Sequence, residues 1–359
     1  MAELEQEAQV EIASTPKPSK RFPVRPFVWA AIALRLVLLP GSHPSSPAET
    51  VRLERQLVLP VANAAPLAPP VKVWLVERTA TEETYSNGLH IDLTFAVSNR
   101  PRKRFPVFPL SGGAKPAEYA TQPVGIVYHS SESHLAPFEE EQNRRLKQLG
   151  RNLLEGVRRE RSYHYVIDRF GRVFRAVEES DIAFHAGHSV WADTRGIYVS
   201  LNSSFLGVAL EGRSGAVDEV TAAQLSATRV LTEFLRARYP IPAENCVTHA
   251  QVSVNPENMQ IGFHVDWAAG FPFAAVGLLD NYAQPPASLW AFGFDVSAGL
   301  VSLTGGEWKG IELADERTSK QAAAEGLSQA QYRTILRHRY KDIASALGEQ
   351  KKESEGGIE

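Results

Sequence analysis

The stretch GIVYHSS, residues 125–131, decides the fold because it begins a regular alternation of strand-like and helical segments. Its apolar run is typical of a strand, and a helical segment follows over about residues 139–159. A second helix is predicted over residues 221–238, with Thr221 as its cap and Pro240 as its stop. Further strand-like runs are YHYVIDR, VFRAV, FLGVALEG and CVTHA. The alternation predicts an α/β fold with a mixed central β-sheet flanked by helices.

Three separate segments place an imidazole or a carboxylate at the end of such a run or in the loop after it. They carry His129, His249 and, in GFHVDW, His264 and Asp266. A catalytic zinc needs three protein ligands and one open position, and nitrogen and oxygen donors suit it. The motif HExxH is absent, so the ligands have to converge from separate elements. The pattern indicates a His, His, Asp zinc site, and the alternative for each histidine taken singly is a buried core or turn residue.

Composition narrows the class of protein. The 359 residues are 43% hydrophobic, which is enough for a substantial core, and the formal net charge is -3. That charge, with both signs interspersed, argues against a dedicated nucleic-acid-binding protein. The single cysteine, Cys246, excludes an intramolecular disulfide and a cysteine-rich metal site. We expect Cys246 to be a small buried residue in a strand.

Changes in composition divide the chain into four regions. Residues 1–70 hold a basic cluster, a short apolar run and a linker rich in Pro, Ala and Ser. This order resembles an export signal, while a membrane anchor and an amphipathic helix remain open. Residues 71–115 are predicted to form a β-rich extension with a hairpin at SNG. Residues 116–285 form the domain with the zinc site, and residues 286–359 form a C-terminal extension.

The C-terminal extension contains short apolar runs. We interpret ASLWAFGFDV and LVSL as further short strands, and SQAQYRTILRHRYKDIASAL as a helix before a charged, disordered end. Aromatic side chains in this region could stack on sugars, but core packing is the favoured interpretation. These side chains are Trp290, Phe292, Phe294 and Trp308.

Several motifs between residues 123 and 273 match those of a known family in the same order. They are GIVYHSS, SYHYVIDRFGRVFRAVEESDIAFHAG, LGVALEG, and THAQVSVNP followed by HVDW. Together they resemble the zinc-dependent N-acetylmuramoyl-L-alanine amidases, a group that includes bacteriophage amidase lysozymes and peptidoglycan recognition proteins. The resemblance covers less than half of the chain and implies the mixed α/β fold of that family.

Carried over to this sequence, the resemblance makes His129, His249 and Asp266 the zinc ligands. It implies that Tyr163 faces the metal-bound water and acts in catalysis. His264 stands where many relatives have a lysine that stabilises the oxyanion. A histidine there can donate a hydrogen bond or a positive charge, although its charge depends on pH.

A second departure concerns the glutamate that shuttles protons in many relatives. Ala209 stands at this position, and Glu211 is its candidate substitute because alternate residues of a strand share a face. The alternative for Glu211 is a solvent-exposed glutamate at a strand end. The resemblance also indicates a substrate groove near the HAG loop, where a purely structural role is the alternative for the histidine. The groove candidates are His185, His188, Trp191 and Asn202.

The activity implied is zinc-dependent hydrolysis of the amide bond between N-acetylmuramic acid and L-alanine in peptidoglycan or muropeptides. The changes at the lysine and glutamate positions keep open a second function, a peptidoglycan-binding protein with little or no hydrolysis. We expect a monomer that binds peptidoglycan or muropeptide and no nucleic acid. We expect it in the cell envelope, whether periplasmic, secreted or anchored through the N-terminal segment, with a cytoplasmic location left open.

Overall fold

The computed structural model describes residues 72–214 and 220–356. The N-terminal segment and linker predicted over residues 1–70 lie outside these ranges, as do residues 357–359 of the predicted disordered end. Among the described helices, none has both the length and the apolar content needed to cross a membrane.

Strands predominate through the first two thirds of the described chain, interrupted by the long helices α1 and α2, and helices predominate in the rest. The strands are β1 (Leu75–Arg78), β2 (Glu82–Tyr85), β3 (His90–Asp92), β4 (Phe105–Val107), β5 (Glu118–Ala120), β6 (Gly125–Ser130), β7 (Tyr165–Ile167), β8 (Val173–Arg175), β9 (Val190–Ala192), β10 (Ile197–Val199), β11 (Phe205–Leu210), β12 (Cys246–Thr248), β13 (Val254–Asn255), β14 (Gln260–Ile261) and β15 (Asp295–Val296). The helices are α1 (Asn143–Glu160), α2 (Ala222–Arg238), α3 (His249–Val252), α4 (Ala287–Phe292), α5 (Ala298–Thr304), α6 (Lys309–Ala324) and α7 (Gln329–Gly356).

The central sheet has the strand order β1-β2-β3-β8-β7-β11-β6-β12 within the described residues. Strands β7, β11, β6 and β12 are parallel neighbours, and every residue of β6 and β11 is buried. Burial on both faces requires a helix layer on each side. Leu231, Phe234 and Leu235 of α2 pack on one face, and Leu154 and Val157 of α1 pack on the other. The predicted mixed α/β fold is confirmed.

Helix α2 begins where its capping residue predicts. The Thr221 hydroxyl accepts a hydrogen bond from the Gln224 backbone N–H, and the Gln224 side chain accepts one from the Thr221 backbone N–H. This capping box satisfies two backbone donors that the first helical turn leaves unpaired. The helix ends at Arg238, shortly before Pro240, so the predicted helix is confirmed.

The N-terminal extension contributes three strands to the central sheet, through parallel pairing of β3 with β8. The predicted turn at SNG is present, with Gly88 at a φ of +83°, but it joins β2 to β3. Strand β2 was not predicted, because its sequence EETY looks solvent-exposed. Glu83 is nevertheless buried, since Arg175 of β8 forms an ion pair with it at 2.9 Å.

The two C-terminal strand predictions are wrong for most of their length. ASLWAF forms α4 and the run containing LVSL forms α5, whereas only β15 is extended. Gly293 and Gly305 end these helices in the left-handed conformation, and Ser297 caps α5 by accepting a hydrogen bond from the Leu300 backbone N–H. Helix α6 was not predicted, while α7 confirms the predicted helical tail. Short apolar runs do not by themselves distinguish a strand from a buried helix.

The aromatic residues of this region pack in the core, so the predicted packing role is confirmed. Their side chains are almost fully buried in one apolar cluster with residues of α3 and β14. They are Trp290, Phe292, Phe294 and Trp308. Cys246 is likewise confirmed as a buried strand residue.

The C-terminal helices hold the segment that follows α3. Strand β15 pairs with β14, and α7 forms two ion pairs with Asp295 of β15. The Trp308 indole N–H donates to the Ala268 carbonyl at 2.8 Å. The loop between β14 and Ala268 is therefore fixed by residues far beyond it in the sequence.

Gly310→Ala is expected to disturb the packing of α6 against the segment before α4. We expect it to lower the free energy of unfolding by about 1–3 kcal/mol, because the added methyl group would overpack a site that has no free space. A Cβ at Gly310 would lie 2.0 Å from the Gln284 carbonyl oxygen and 2.8 Å from that of Tyr282, and neither backbone group can move freely. Denaturant unfolding of the full chain measures the change.

The matched control for this substitution is Gly299→Ala in α5. A Cβ there meets no atom within 4 Å. Since alanine has a higher helix propensity than glycine, we expect the free energy of unfolding to increase by about 0.5–1 kcal/mol. Equal effects of the two substitutions would contradict the packing argument.

Candidate metal centre and active site

Three side chains converge at the carboxyl ends of two neighbouring parallel strands. His129 is near the end of β6, and His249 follows β12 directly as the first residue of α3. Asp266 lies in the loop after β14. Its Oδ2 is 3.1 Å from His129 Nδ1, and its Oδ1 is 2.9 Å from His249 Nδ1. One ligand atom from each residue lies within 4.8 Å of the others, so the structure brings the three predicted ligands together.

Burial sets the charge of this group. Burial and the neighbouring His249 lower the pKa of His129 to about 4, so this imidazole is neutral at pH 7. Burial alone would raise the pKa of Asp266, but hydrogen bonds with His129 and His249 hold it well below its usual value. The centre therefore combines a neutral imidazole with a carboxylate, and these are the protonation states that metal ligands require.

The donor set fits a divalent metal ion. Both imidazoles turn Nδ1 towards the carboxylate, which gives two nitrogens and one oxygen around a common point. All three residues are buried, and the second nitrogen of His249 has no hydrogen-bond partner. Three ligands of these types leave a fourth coordination position for water or substrate. His129, His249 and Asp266 are thus the residues that would hold the metal.

His185 lies directly against His129. Its Nδ1 is 3.1 Å from His129 Nε2, and its Nε2 is 3.3 Å from the Phe205 carbonyl oxygen. The side-chain oxygen of Asn202 accepts hydrogen bonds from the backbone N–H groups of His185 and Ala186 at 2.9 and 2.7 Å. Both of these predicted groove residues therefore make contacts within the protein.

Tyr163 and His264 flank the centre on two sides. The Tyr163 ring lies 5.0 Å from that of His129, on a residue with a φ of +56°, an unfavourable conformation for a non-glycine residue. Burial and the charge of Asp266 raise the pKa of Tyr163, so its hydroxyl stays protonated. The exposed His264 ring stacks on His249 at 4.6 Å. Burial and His249 lower the pKa of His264, so at neutral pH it offers a hydrogen bond without the charge of a lysine.

Ala209 lies in β11 next to His129, and Glu211 lies just after the end of that strand. Ala209 pairs in register with His129, so a methyl group stands where relatives place a carboxylate. Glu211 follows the last residue of β11 and is buried, in contrast to the exposed alternative. Its carboxylate accepts a hydrogen bond from the Arg169 backbone N–H at 3.1 Å. Burial raises the pKa of Glu211 above its usual value.

The two remaining groove candidates differ in exposure. His188 is exposed, and its carbonyl accepts a hydrogen bond from the Val254 backbone N–H. Trp191 is only 2% exposed, and its indole N–H donates to Asn245 at 3.0 Å, so it packs in the core. The polar loop sequence around Trp191 predicts a groove residue, but β9 directs the side chain into the core.

Gly207 was not singled out from the sequence, although it shapes the site. A Cβ at this position would lie 2.5 Å from Cγ of the His185 ring. The glycine in the middle of β11 therefore makes room for the imidazole beside His129. A glycine inside a strand pattern is a signal of such close approach, and it was present in LGVALEG.

Comparisons with known proteins agree with the motifs. Residues 119–260 match a family model described as N-acetylmuramoyl-L-alanine amidase. No curated protein matches the chain. Among solved structures, the chain is similar to the N-acetylmuramyl-L-alanine amidase AmiD from E. coli in complex with the substrate anhydro-N-acetylmuramic acid-L-Ala-D-gamma-Glu-L-Lys. This similarity has 25% identity and a TM-score of 0.29, and it covers 38% of this chain and 51% of that one.

Two further structures show comparable similarity. The amidase LysC from Clostridium intestinale has 21% identity and a TM-score of 0.28, with 50% of this chain and 93% of that chain covered. AmpDh3 from Pseudomonas aeruginosa in complex with anhydromuramic pentapeptide has 19% identity and a TM-score of 0.34, with 54% and 76% covered. The chain spans about half the length of the AmiD structure. The matched residues 119–260 include β6 and β12, the strands that position His129 and His249, so the segment that is similar to the N-acetylmuramoyl-L-alanine amidase family contains two of the three residues of the centre.

Proposed function

We propose that the protein is a zinc-dependent hydrolase that cleaves the amide bond between N-acetylmuramic acid and L-alanine in peptidoglycan or muropeptides. The buried group of His129, His249 and Asp266 carries this proposal, since it lies within and directly after the segment that matches the amidase family. Muropeptides are bound in two of the similar structures, and they are the substrate class proposed for this chain. We also propose a location in the cell envelope, where this substrate occurs.

The side chains around the centre support hydrolysis. A zinc ion held by the three ligands would supply a Lewis acid for the amide carbonyl and an activated water. The protonated Tyr163 hydroxyl can donate a hydrogen bond to the carbonyl oxygen as negative charge develops on it. His264, exposed beside His249, can exchange protons at the mouth of the site. In the overall reaction water adds to the carbonyl carbon, the C–N bond breaks, and the nitrogen of L-alanine takes a proton.

A peptidoglycan-binding protein without hydrolysis is the second candidate function. One observation favours it. Ala209 lies in register with His129, so the carboxylate of many relatives is missing beside the centre, and Glu211 is hydrogen-bonded to the Arg169 backbone N–H. The complete ligand set weighs against this function, because binding alone does not require it.

Incubation of the full chain with anhydro-N-acetylmuramyl tripeptide, followed by mass spectrometry, separates the two functions. We expect free tripeptide and the released sugar acid, loss of both products after treatment with a chelator, and recovery when zinc is added back. Casein is the control substrate and should stay intact. Tight binding of the muropeptide without cleavage, in protein that contains zinc, would favour the second function.

A further inference from the structure

An exposed phenyl ring lies next to the candidate metal centre. Phe263 is 59% exposed, and its ring meets that of His264 edge to face, with the ring centroids 4.8 Å apart. The His264 ring in turn stacks on the ring of His249, with centroids 4.6 Å apart and ring planes at 16°. A column of aromatic rings therefore leads from a residue of the centre outwards to Phe263.

The backbone on both sides of Phe263 is fixed by the same residue. The Gly262 N–H donates to the Ser253 carbonyl at 3.1 Å, and the His264 N–H donates to the Ser253 hydroxyl at 3.0 Å. Gly262 has a φ of +76°, and a Cβ there would lie 3.0 Å from Cβ of Leu300 in α5. Phe263 is thus an apolar side chain that a well-fixed segment presents to solvent. Such a ring can bind a ligand with a small loss of conformational entropy.

One part of the substrate of the proposed function matches a phenyl ring. In N-acetylmuramic acid, the lactyl carbon and an ether oxygen are all that separate the sugar ring from the carbonyl carbon of the scissile amide. A carbonyl held at the metal centre therefore brings the sugar close to the rings around His249. The faces of the sugar ring present C–H groups, which lose contact with water when they pack on an aromatic ring. The stem peptide carries charged groups instead, and these gain little from a phenyl ring.

We propose that Phe263 is a specificity-determining residue that packs against the sugar ring of the muropeptide. The protein then prefers a substrate that carries the sugar over the same peptide with a lactyl group alone. This inference rests on the proposed function and adds the side chain that recognises the sugar. Phe263 is not among the groove candidates that the sequence predicts.

Two substrates with the same scissile amide test the role of Phe263. One is anhydro-N-acetylmuramyl tripeptide, and the other is the D-lactoyl tripeptide, which lacks the sugar. In the zinc-loaded full chain, Phe263→Ala should raise KM for the muramyl substrate about 3- to 10-fold, as the loss of an aromatic contact does, and leave kcat unchanged. KM for the lactoyl substrate should not change. Phe263→Trp keeps an aromatic face and should hold KM for the muramyl substrate within about threefold of the wild type.

The matched control is Trp74→Ala. It removes an aromatic side chain of similar exposure, 58%, which lies just before β1. Strands β1 and β12 form opposite edges of the described central sheet, and His249 follows β12. This variant should show wild-type KM for both substrates.

A second measurement does not depend on cleavage. Titration calorimetry with the metal-free full chain gives Kd for both ligands, and Phe263→Ala should weaken binding of the muramyl tripeptide alone. The inference is overturned if this variant changes the affinity for both ligands equally, if it changes neither, or if the wild type binds neither. It is also overturned if kcat falls on both substrates with unchanged KM, which is the result of a purely structural role. Failure of the proposed function looks different, because the zinc-loaded wild type then cleaves neither substrate while the difference in Kd persists.

Discussion

Replacing Asp266 with alanine should remove both bound zinc and hydrolysis. The carboxylate is the only acidic member of the group of three ligands, and it contacts both imidazoles. A Lewis acid contributes several kcal/mol to stabilising the transition state, and each 1.4 kcal/mol corresponds to about a tenfold change in rate. We therefore expect a loss on the order of 10³-fold in muropeptide cleavage. Zinc content and cleavage are measured on the same samples.

The control for this substitution is Asp342→Ala, which removes an exposed carboxylate from α7. It should retain the zinc and the activity of the wild type. Retention of stoichiometric zinc by the Asp266→Ala variant would show that the metal is held elsewhere, and cleavage by a zinc-free variant would show that hydrolysis does not need this centre.

Arg175→Leu should destabilise the protein by about 3–5 kcal/mol, the cost of leaving buried charges without their partner. Arg175 of β8 is 5% exposed and lies 2.9 Å from Glu83 of β2 and 3.3 Å from Glu179. Its removal leaves two carboxylates close together in the interior. The effect should be visible in the free energy of unfolding from urea titration at neutral pH.

A solvent-exposed pair provides the comparison. Arg195 and Glu118 form an ion pair at 2.7 Å, with about half of each side chain exposed. Because water screens such a pair, Arg195→Leu should cost at most about 1 kcal/mol. If both substitutions cost the same, the Arg175 network does not hold the N-terminal strands to the central sheet as the structure indicates.

The residues that converge at the candidate metal centre and the start of α2 could be predicted because their signals are local. His129, His249 and Asp266 follow strand-like runs, and the parallel neighbours β6 and β12 bring the two histidines together. Thr221 carries its capping signal within the next turn of helix. Signals of this kind can be recognised in a single sequence because each depends on a few neighbouring residues.

The features that were missed depend on contacts between distant segments. The C-terminal helices α4 and α5 are short and apolar, so their periodicity does not distinguish them from strands, and they pack in one cluster with α7 and β14. The sequence around Glu83 predicts an exposed side chain, because its ion-pair partner, Arg175, is distant in the sequence. The link between His185 and His129 exists because Gly207 allows two elements to approach closely. None of these contacts leaves a periodic pattern.

The contacts that fix the loop containing Asp266 determine when this loop can fold during synthesis of the chain. All three ligands have been translated by residue 266, yet the groups that fix the loop come later, as Trp308 and the arginines of α7 that pair with Asp295. A nascent chain that ends before α4 lacks these contacts. The group of His129, His249 and Asp266 therefore reaches its observed geometry only after α7 has been synthesised, and the metal of the proposed function would bind no earlier than that.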